Sequence, residues 1–511
     1  MAETADTGGG ATRPHLTPRA FAWASAAILM LALALRIAAA LPFSMHHPDE
    51  IFQYIEQAHR LIFGYGVVTW EYRYGMRSWL LPWLLSGPMQ LGVILSPASS
   101  LYLFLPKLTL VLLSLAIVWS ARAIGRQISP LHGLVAMFIT AIWFELVFFA
   151  GHALTEAIAT ALFISAAALA NDGRDRRSFA IAGILLGLTV LVRFHYAPAI
   201  GVYVLFTNRL AIRDKWLPMV AGGCAALAAG AMVDLWMGQT PFAWIVENFR
   251  QNIIHDRAAN YGVSGPTEYF RFIAVYWSLW IVPIMALLII GLRRQPALCA
   301  AALANLAFHM MIGHKEYRFI LLSMTIFILI AAIGSVDLLR WIEKRAGKTA
   351  MPGLLVAMLA FWSVASVTRA ADAQMRPKWT GHQPVLDLAL TMRSVPGLCG
   401  IAYHDVDPIW GSGGYSHIHH DVPLFFYEGT AADTQKLALD SAGFNVIVAP
   451  IDSSATLPRS YIKAECRSAR GGHGTTDVDT RDFCRFVRPG PCDRAVDDAN
   501  RVDRLLIRHD L

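Results

Sequence analysis

Two short segments of this 511-residue chain gather the ionisable side chains that catalyse proton transfer and hold phosphate groups. The first is His46-His47-Pro48-Asp49-Glu50, and the second is Gly313-His314-Lys315-Glu316-Tyr317-Arg318. A carboxylate can act as a general base, whereas Lys and Arg bind phosphate through a point charge and a planar fork. A plain turn between two apolar stretches does not need four ionisable residues, so the second segment is a candidate functional loop. For the first segment both a functional and a structural role stay open, because acids are also common in the first turn of a helix.

The first segment begins a predicted amphipathic helix. Pro48 suits the first helical position, and Asp49 and Glu50 suit the first turn. An apolar stripe at helical spacing is formed by Ile51, Tyr54, Ile55, Ala58, Leu61 and Ile62. The opposite stripe is polar and consists of Asp49, Gln53, Glu56 and Arg60. The pattern predicts a helix at a membrane surface, with Asp49 at its N-terminal tip.

The composition is typical of a membrane protein. Hydrophobic residues make up 56% of the chain, charged residues 15%, and the mean hydropathy is +0.46. Soluble proteins carry about 25% charged residues, and apolar runs of membrane-spanning length recur over most of this sequence. The net charge of +7 does not indicate a nucleic-acid partner, because Lys and Arg are scattered between apolar runs rather than gathered in a patch. The sequence therefore predicts a polytopic α-helical membrane protein.

About eleven transmembrane helices are predicted, although several are shorter than the ~20 residues of a straight span. They cover residues 21–41, 101–121, 131–150, 153–170, 178–192, 196–208, 216–236, 269–291, 296–312, 317–337 and 351–369. Basic loops alternate with these spans and fall on one side, which the positive-inside rule assigns to the cytoplasm. Residues 21–41 are interpreted as an uncleaved span, because this apolar run is longer than the core of a signal peptide, which has only about 7–15 residues. Residues 79–95 form either an interfacial helix or a further span.

Three parts are predicted along the chain. Residues 1–20 form a cytoplasmic N-terminal tail, residues 21–369 form the multi-span domain, and residues 376–511 form an outward-facing domain. The largest outer loop covers residues 42–100. Ionisable and aromatic residues collect in the outer loops, where charges are costly and frequently functional. They include Trp70, Glu71, Arg77, Glu156 and Arg193; an aromatic belt with snorkelling arginines is the alternative interpretation.

The C-terminal part has a polar composition with Pro and Gly, which indicates a small α/β domain. Its predicted strands are residues 398–406, 422–427 and 444–449, and its predicted helices are residues 386–392 and 434–442. Four of the six cysteines lie here: Cys399, Cys466, Cys484 and Cys492. Six are too few for a disulfide scaffold, but an exported domain can form disulfides, and Cys466 with Cys484 is one candidate pair. The histidine-rich run at residues 416–421 could be a site, although a solvated loop is the favoured interpretation.

Several motifs of the first outer loop resemble those of glycosyltransferase family 22. They are His47-Pro48-Asp49-Glu50, Gln53, Glu56, Ala58-His59, Phe63-Gly64-Tyr65-Gly66 and Thr69-Trp70-Glu71-Tyr72. The run His314-Lys315-Glu316-Tyr317-Arg318-Phe319 matches the second signature of the family, and the two occur in the family's order. The family consists of GT-C fold mannosyltransferases of GPI-anchor and lipid-linked-oligosaccharide assembly. The resemblance covers residues 21–334 and points to both branches, so no subfamily is assigned.

The resemblance implies a GT-C fold and the inverting transfer of a mannosyl, or other hexosyl, residue. The donor would be a polyprenyl- or dolichyl-phosphate sugar, and the acceptor a glycolipid or lipid-linked oligosaccharide; no cofactor or metal is required. Direct displacement needs a general base and cationic groups for the leaving phosphate. Asp49 aligns with the family's catalytic acid, with Glu50 as its nearest substitute. The candidate donor-binding residues are His314, Lys315, Arg318, Arg193 and Arg77. The candidates for binding the acceptor or shaping the loop are His47, Gln53, Glu56, Trp70, Glu71 and Glu156.

The expected location is the inner membrane of a bacterium or the endoplasmic reticulum membrane of a eukaryote, with the reaction on the outer or luminal face. The alternative function is a multi-span transporter or lipid-sugar flippase. A transporter is expected to carry ionisable residues at mid-membrane and repeated, interrupted helices. Here the charges cluster at one rim, and Arg36 is the main exception. A membrane scaffold would leave both signature loops unexplained. The acceptor, the linkage and the identity of the sugar stay open.

Overall fold

Apolar helices fill the chain as far as residue 370, and an α/β unit follows. The computed structural model describes residues 17–173, 175–469, 479–493 and 497–509, so most of the predicted N-terminal tail lies outside the described part. The α-helices of the first region are Pro18–Ala40, Glu56–Phe63, Trp70–Arg73, Leu80–Leu95, Leu101–Arg126, Pro130–Ile142, Phe144–Phe148, Thr155–Asp172, Arg176–Val192, Ala197–Asn208, Leu217–Trp236, Ala243–Phe249, Glu268–Trp277, Ile281–Gly291, Pro296–Met311, Leu321–Ala346 and Met351–Ala370. Local signals begin them: Thr17 and Ser129 each cap a helix that has proline at its start.

Six helical segments among the described residues are long and apolar enough to cross a membrane. They are Pro18–Ala40, Leu101–Arg126, Ile212–Trp236, Glu268–Arg294, Tyr317–Ala346 and Lys348–Ala370. The pair Pro130–Ile142 and Phe144–Gly151, bent by 61°, would make a seventh span. The predicted spans 178–192, 196–208 and 296–312 correspond to helices of 17, 12 and 16 residues. The structure therefore supports a multi-span membrane protein, whereas the number eleven stays a prediction.

The bend after Ile142 explains the charge that lies deep in the first predicted span. Arg36 is fully buried, and its guanidinium donates to the carbonyl oxygens of Ala141 at 2.8 Å and Thr140 at 3.0 Å. These carbonyls lie at the end of a helix that breaks at Trp143, so a continuing helix cannot supply their partners. Arg36 therefore caps the broken helix and joins it to the first one.

Side-chain contacts show that several of the basic loops lie at the same end of the helix bundle. Asp337 accepts hydrogen bonds from Arg294 at 2.9 and 3.0 Å and lies 3.2 Å from His132 Nε2. Arg122 Nε donates to Ser25 Oγ at 3.0 Å. These residues come from segments beside the loops that the positive-inside rule places together. The contacts agree with that grouping.

The helix Leu80–Leu95 begins and ends at the opposite end of the bundle. Just before it, Ser78 Oγ lies 3.5 Å from Asp234 Oδ1, near the end of Leu217–Trp236. Just after it, the carbonyl oxygen of Ser99 accepts a hydrogen bond from Arg393 of the α/β unit at 2.5 Å. Because both ends lie on one side, the contacts favour the interfacial interpretation of this segment.

The described residues of the α/β unit form five strands: β1 Ile401–His404, β2 Leu424–Tyr427, β3 Val446–Pro450, β4 Ile462–Arg467 and β5 Phe483–Val487. Their order in the sheet is β2-β1-β3-β5-β4, with β1 parallel to β2 and β3, and β5 antiparallel to β3 and β4. The helices of the unit are Gln383–Leu390, Gly414–Ile418, Ala431–Leu439 and Val502–Arg508. The first three strands confirm the predicted ones. Strand β4 escaped prediction because it is a polar, partly exposed edge strand.

The core of the α/β unit includes residues of the first outer loop. Ile51 and Phe52 belong to the same buried cluster as Ile401, Tyr403 and Ile418. Apolar burial stabilises by about 25 cal/mol per Å², so this shared core couples the two regions. The position of the first outer loop therefore depends on the α/β unit.

Two disulfides lie in the α/β unit. Cys466–Cys484 joins paired residues of β4 and β5 and confirms the suggested pairing. Cys399–Cys492 joins residues that are 93 positions apart. Disulfides persist in oxidising compartments, which supports an outward position for this unit.

We expect alkylation of the denatured protein to modify only Cys224 and Cys299 before reduction and all six cysteines after it. The reason is that Cys224 and Cys299 are free, whereas the other four are paired. Peptide mass spectrometry reads the sites directly. Complete modification of Cys399 or Cys492 without reductant would contradict the pairing.

A second expectation concerns sidedness. In a Cys224→Ser background, cysteines introduced at the exposed positions Thr349 and Ser454 should react differently with a membrane-impermeant maleimide. In sealed vesicles whose cytoplasmic face is outward, Thr349→Cys should react directly and Ser454→Cys only after permeabilisation, because Thr349 lies in a basic gap. The topology fails if both positions react from the same side.

Candidate active site

The first outer loop carries a helix over residues 50–63, called the surface helix below. It begins with a wide π-helical turn at Glu50–Ile55 and continues as an α-helix over Glu56–Phe63. Gly64, at φ 79°, ends it in the left-handed conformation that glycine adopts easily. π-turns occur frequently at functional sites. The predicted helix is thus confirmed, with Asp49 at its N-terminal tip.

The polar stripe of the surface helix is buried, which corrects the expectation of a helix lying at a membrane surface. Gln53 and Glu56 have exposed fractions of 2% and 0%. Glu56 Oε1 accepts hydrogen bonds from the backbone N–H of Val67 at 2.8 Å and Tyr415 at 3.0 Å, and Oε2 accepts from that of Ser416 at 2.7 Å. The stripe contacts the α/β unit because a buried carboxylate needs donors, which that unit supplies.

Asp49 lies where three segments of the chain meet. Its Oδ2 accepts a hydrogen bond from Arg318 Nη2 at 2.7 Å, and its Oδ1 accepts one from Gln53 Nε2 at 2.7 Å. His47 Nδ1 lies 3.3 Å from Oδ1 and accepts the backbone N–H of Asp49. The Asp49 side chain keeps an exposed fraction of 20%. A hydroxyl group can therefore reach a carboxylate that is otherwise held in place.

Arg318 binds carboxylates from three separate parts of the chain. Besides Asp49, its Nε donates to Glu316 Oε2 at 2.6 Å, and its Nη1 lies 3.5 Å from Glu156 Oε1. Arg193 Nη1 lies 3.0 Å from the same oxygen of Glu156. Arg318 is almost fully buried, so it has lost most of its hydration and depends on these partners.

These contacts determine the protonation of the acids. Burial alone would raise the pKa of Asp49, but His47 and Arg318 hold it well below its ordinary value. Burial also acts to raise the pKa of Glu316, and Arg318 and His47 more than offset it, so that pKa too lies well below the usual range. Burial and Arg318 lower the pKa of His47, yet Asp49 and Glu316 bring it above normal. Asp49 and Glu316 are therefore ionised at neutral pH.

Glu50 is directed to a different set of partners. Its Oε1 accepts the backbone N–H of His46 at 2.5 Å and that of His47 at 3.3 Å. Its Oε2 lies 2.5 Å from His152 Nδ1. Both oxygens are thus engaged in holding the start of the surface helix, whereas the neighbouring Asp49 joins the Arg318 cluster.

A partly open pocket lies beside this cluster. Its lining includes the cationic or polar residues Arg77, Arg193 and His195. Apolar residues of the lining include Leu80, Leu81, Leu191, Val192, Phe194 and Trp244. The Nε atoms of Arg77 and Arg193 are buried and have no hydrogen-bond partner among the described residues. Buried donors normally have acceptors, so the lining suits an anion attached to an apolar chain.

The pocket is connected to Asp49 through one ion pair and two hydrogen bonds. Arg77 Nη2 lies 3.9 Å from Glu71 Oε1, and that oxygen accepts a hydrogen bond from Gln53 Nε2 at 2.6 Å. The same Gln53 nitrogen contacts Asp49. Arg193 reaches the cluster through the carboxylate that it shares with Arg318. Asp49 and both pocket arginines therefore belong to one polar network.

Trp70 shapes the loop that carries Glu71. It begins the short helix Trp70–Arg73 and is buried. The guanidinium of Arg257 lies 5.4 Å from its ring centroid, within cation–π range. The hydroxyl of Tyr72 donates to the carbonyl oxygen of Gln53 at 2.7 Å, which fixes this loop on the surface helix.

His314 and Lys315 do not line the pocket. Lys315 Nζ donates to the carbonyl oxygen of Ile312, and it lies 5.9 Å from the ring centroid of Tyr269. His314 Nε2 lies 3.1 Å from Glu316 Oε1 and so touches the edge of the Arg318 cluster. Of the five predicted donor-binding residues, the structure brings only Arg77 and Arg193 to the pocket wall.

Three contact residues were not among the predicted site residues. Glu316 pairs with Arg318, His152 holds Glu50, and the Trp410 ring of the α/β unit lies 4.9 Å from the ring of His47. The charge pattern of residues 313–318 could have revealed Glu316. No local pattern points to Trp410, because its contact with the loop is made only by the fold.

The histidine-rich run at residues 416–421 begins in a buried helix rather than in a solvated loop, which corrects the favoured interpretation. Ser416 and His417 belong to the helix Gly414–Ile418 and are buried against the surface helix. His417 Nδ1 lies 2.8 Å from the carbonyl oxygen of Gly413. In the described part of the chain, no three His, Cys, Asp or Glu side chains are arranged to hold a metal ion.

Comparison with solved structures identifies the fold. ArnT from Cupriavidus metallidurans, bound to undecaprenyl phosphate, is similar with a TM-score of 0.56 at 10% identity, over 91% of this chain and 98% of that one. The oligosaccharyltransferase of Archaeoglobus fulgidus in the apo form has a TM-score of 0.50 at 11% identity, over 92% and 75% of the two chains. The multi-span architecture is therefore that of GT-C proteins.

Comparison of sequences identifies the family. GPI mannosyltransferase 3 of Yarrowia lipolytica is 27% identical over 424 residues, which cover 78% of this chain and 76% of that protein. GPI alpha-1,2-mannosyltransferase 3 of Danio rerio is 25% identical over 344 residues, covering 61% and 59%. The model of the Alg9-like mannosyltransferase family matches residues 27–375. Since this match spans more than half of the sequence, the chain belongs to the Alg9-like family of mannosyltransferase enzymes.

Proposed function

We propose that the protein transfers a mannosyl, or another hexosyl, residue from a polyprenyl-phosphate sugar to a hydroxyl of a glycolipid or lipid-linked glycan, with inversion. The observation that carries this proposal is the pocket lined by Arg77 and Arg193, whose network includes the ionised Asp49. The undecaprenyl phosphate bound by the similarly folded ArnT supports a lipid-phosphate donor.

Arg77 and Arg193 are the proposed phosphate-binding residues. Their Nε–H groups lack partners in the described structure, and planar guanidinium groups bind phosphate through two parallel hydrogen bonds. The apolar residues of the same pocket would contact the first units of the polyprenyl chain. Arg318 has three carboxylate partners, and Lys315 has a carbonyl partner. The proposal therefore gives neither residue the direct phosphate-binding role that the sequence suggested.

Asp49 is the proposed general base. It is ionised, partly exposed and oriented by Gln53 and Arg318. Its lowered pKa makes it a weak base towards a free hydroxyl, so proton transfer follows the formation of the new C–O bond, when the hydroxyl becomes strongly acidic. Glu50 is assigned the structural task of holding the loop.

The proposed reaction is a single displacement. The oxygen of the acceptor hydroxyl forms a bond with the anomeric carbon, and the bond between that carbon and the phosphate oxygen breaks with its electron pair on the phosphate. The hydroxyl proton passes to Asp49, and polyprenyl phosphate is released. The pocket arginines stabilise the negative charge that grows on the phosphate oxygen. Attack opposite the leaving group inverts the configuration at the anomeric carbon.

The outer or luminal face is the proposed side of the reaction. The α/β unit carries two disulfides and shares a core with the surface helix, so the oxidising side of the membrane should hold both. This corresponds to the inner membrane of a bacterial cell or the endoplasmic reticulum membrane of a eukaryotic one.

The deep position of Arg36 was the sequence feature that most favoured a transporter or flippase, and the structure gives this residue a different role. Arg36 is the ionisable residue deep in the first span, and its guanidinium is used to cap a broken helix. A residue with this task is bound to backbone carbonyls rather than free to contact a moving substrate. The site residues instead gather at the end of the bundle next to the α/β unit.

We expect Asp49→Asn to lower turnover by about 10²–10⁴-fold, the usual contribution of a general base. The purified protein is supplied with polyprenyl-phosphate mannose, and products from a panel of candidate glycolipid acceptors are identified by mass spectrometry. Glu50→Gln is the matched control, because it changes the adjacent acid and should mainly lower thermal stability. Normal transfer by Asp49→Asn would refute the assignment, and absence of transfer by the wild type with every hexosyl donor would refute the function.

We expect Arg77→Gln and Arg193→Gln to raise the donor KM by roughly 10- to 100-fold, corresponding to about 1.5–3 kcal/mol for a charge-assisted hydrogen bond. Lys315→Gln is the matched control and should leave the donor KM nearly unchanged. Arg77→Gln is the cleaner test, because Arg193 contacts Glu156 at 3.0 Å whereas Arg77 lies 3.9 Å from Glu71. If Lys315→Gln has the largest effect on the donor KM, the phosphate is bound elsewhere.

A further inference from the structure

Trp410 presents a partly exposed ring at the edge of the site. Its exposed fraction is 39%, although its neighbours from residue 411 to residue 418 are buried. The ring centroid lies 4.9 Å from that of His47, with the planes at 71°. His47 contacts Asp49 directly, so the indole ring lies one residue away from the proposed base.

The position of the Trp410 ring is fixed from both sides. Asp407 Oδ1 accepts the backbone N–H of Ile409 at 2.8 Å and that of Trp410 at 2.6 Å, which is an Asx turn. Four residues later, Gly414 has φ +59°, and a Cβ there would lie 2.8 Å from Glu56 Oε2. The segment is therefore locked to the surface helix through a contact that only glycine permits. A ring held in this way is ready to bind without first losing conformational freedom.

The chemistry of such a ring suits a sugar. A pyranose has an apolar face of C–H groups and a rim of hydroxyls, and an indole offers a large, rigid apolar face at low entropic cost. The exposed carboxylate of Asp407 lies next to it in the turn and can accept hydrogen bonds from hydroxyls. Arg77 and Arg193, by contrast, lie in the pocket on the helical side of the network.

We propose that Trp410 is the platform for a pyranose ring of the acceptor glycan. This deepens the proposed function and rests on it in one respect, namely that Asp49 is the base. The hydroxyl that is glycosylated must lie within hydrogen-bond reach of Asp49, and His47 connects Asp49 to the platform. The donor enters beside Arg77 and Arg193, and the acceptor sugar packs on the α/β unit.

A binding experiment tests the platform without requiring turnover. The probe is methyl α-mannopyranoside, and saturation-transfer NMR is recorded on the full-length protein in lipid nanodiscs. Sugar-ring signals are expected for the wild type and for Trp410→Phe and should be lost in Trp410→Leu, which keeps an apolar side chain but removes the aromatic face. Trp83→Leu is the control, because Trp83 is similarly exposed but lies outside the described contacts of the site. Absence of signals in the wild type, or unchanged signals in Trp410→Leu, would overturn the proposal.

A kinetic experiment separates binding from loop packing. With an acceptor identified in the transfer assay, Trp410→Leu should raise the acceptor KM by about three- to tenfold, as expected for a lost aromatic contact. The donor KM should stay unchanged, and Trp410→Phe should restore most of the acceptor affinity. An equal rise in both KM values would show a merely structural role and overturn the proposal. If the wild type transfers no sugar, the proposed function fails, while the binding experiment still decides whether Trp410 holds a pyranose.

Discussion

The buried guanidinium of Arg318 is the interaction on which the rest of the site depends. It meets carboxylates from the first outer loop, from the helix that begins at Thr155, and from its own loop. An uncompensated charge in this position would cost several kcal/mol, so three distant segments must meet at one point. Together with His47, the same charge keeps Asp49 ionised, and it shares the Glu156 carboxylate with the pocket residue Arg193. One buried cation thus links the carboxylates of the site to one another.

A second constraint connects this cluster with the α/β unit. Glu56 accepts backbone hydrogen bonds from Tyr415 and Ser416, and Phe52 lies in the core that surrounds the central strand β1. The family match ends at residue 375, yet the loop that carries Asp49 packs against residues beyond position 400. Because the surface helix is buried between the two regions, neither region alone defines the site. The α/β unit therefore helps to form the proposed active site rather than being an appended domain.

The arginines of the site divide into two kinds. Arg318 is surrounded by carboxylates, whereas Arg77 and Arg193 each have a buried Nε atom without a partner among the described residues. A cation that already has several anionic partners gains little from another anion, whereas an unsatisfied donor gains a hydrogen bond that it otherwise lacks. This difference separates cations that organise the carboxylates from cations that suit a phosphate. Both kinds lie within one network, so the proposed donor and base are held in a fixed relation.

The sequence by itself determined the membrane class, the helix that follows Asp49, the two signature loops and three strands of the sheet, whereas the pairing of Cys466 with Cys484 was one candidate that the structure bears out. These features depend on periodicity and local motifs, which a chain carries in every conformation. Only the tertiary structure decided that Glu50 and Asp49, adjacent in one motif, face different partners, and that Lys315 leaves the pocket to Arg77 and Arg193. It also decided that the polar stripe is covered and that Trp410 reaches His47. Periodicity states which residues share a face of a helix, but what covers that face, and which charge meets which, depends on contacts between residues far apart in the chain.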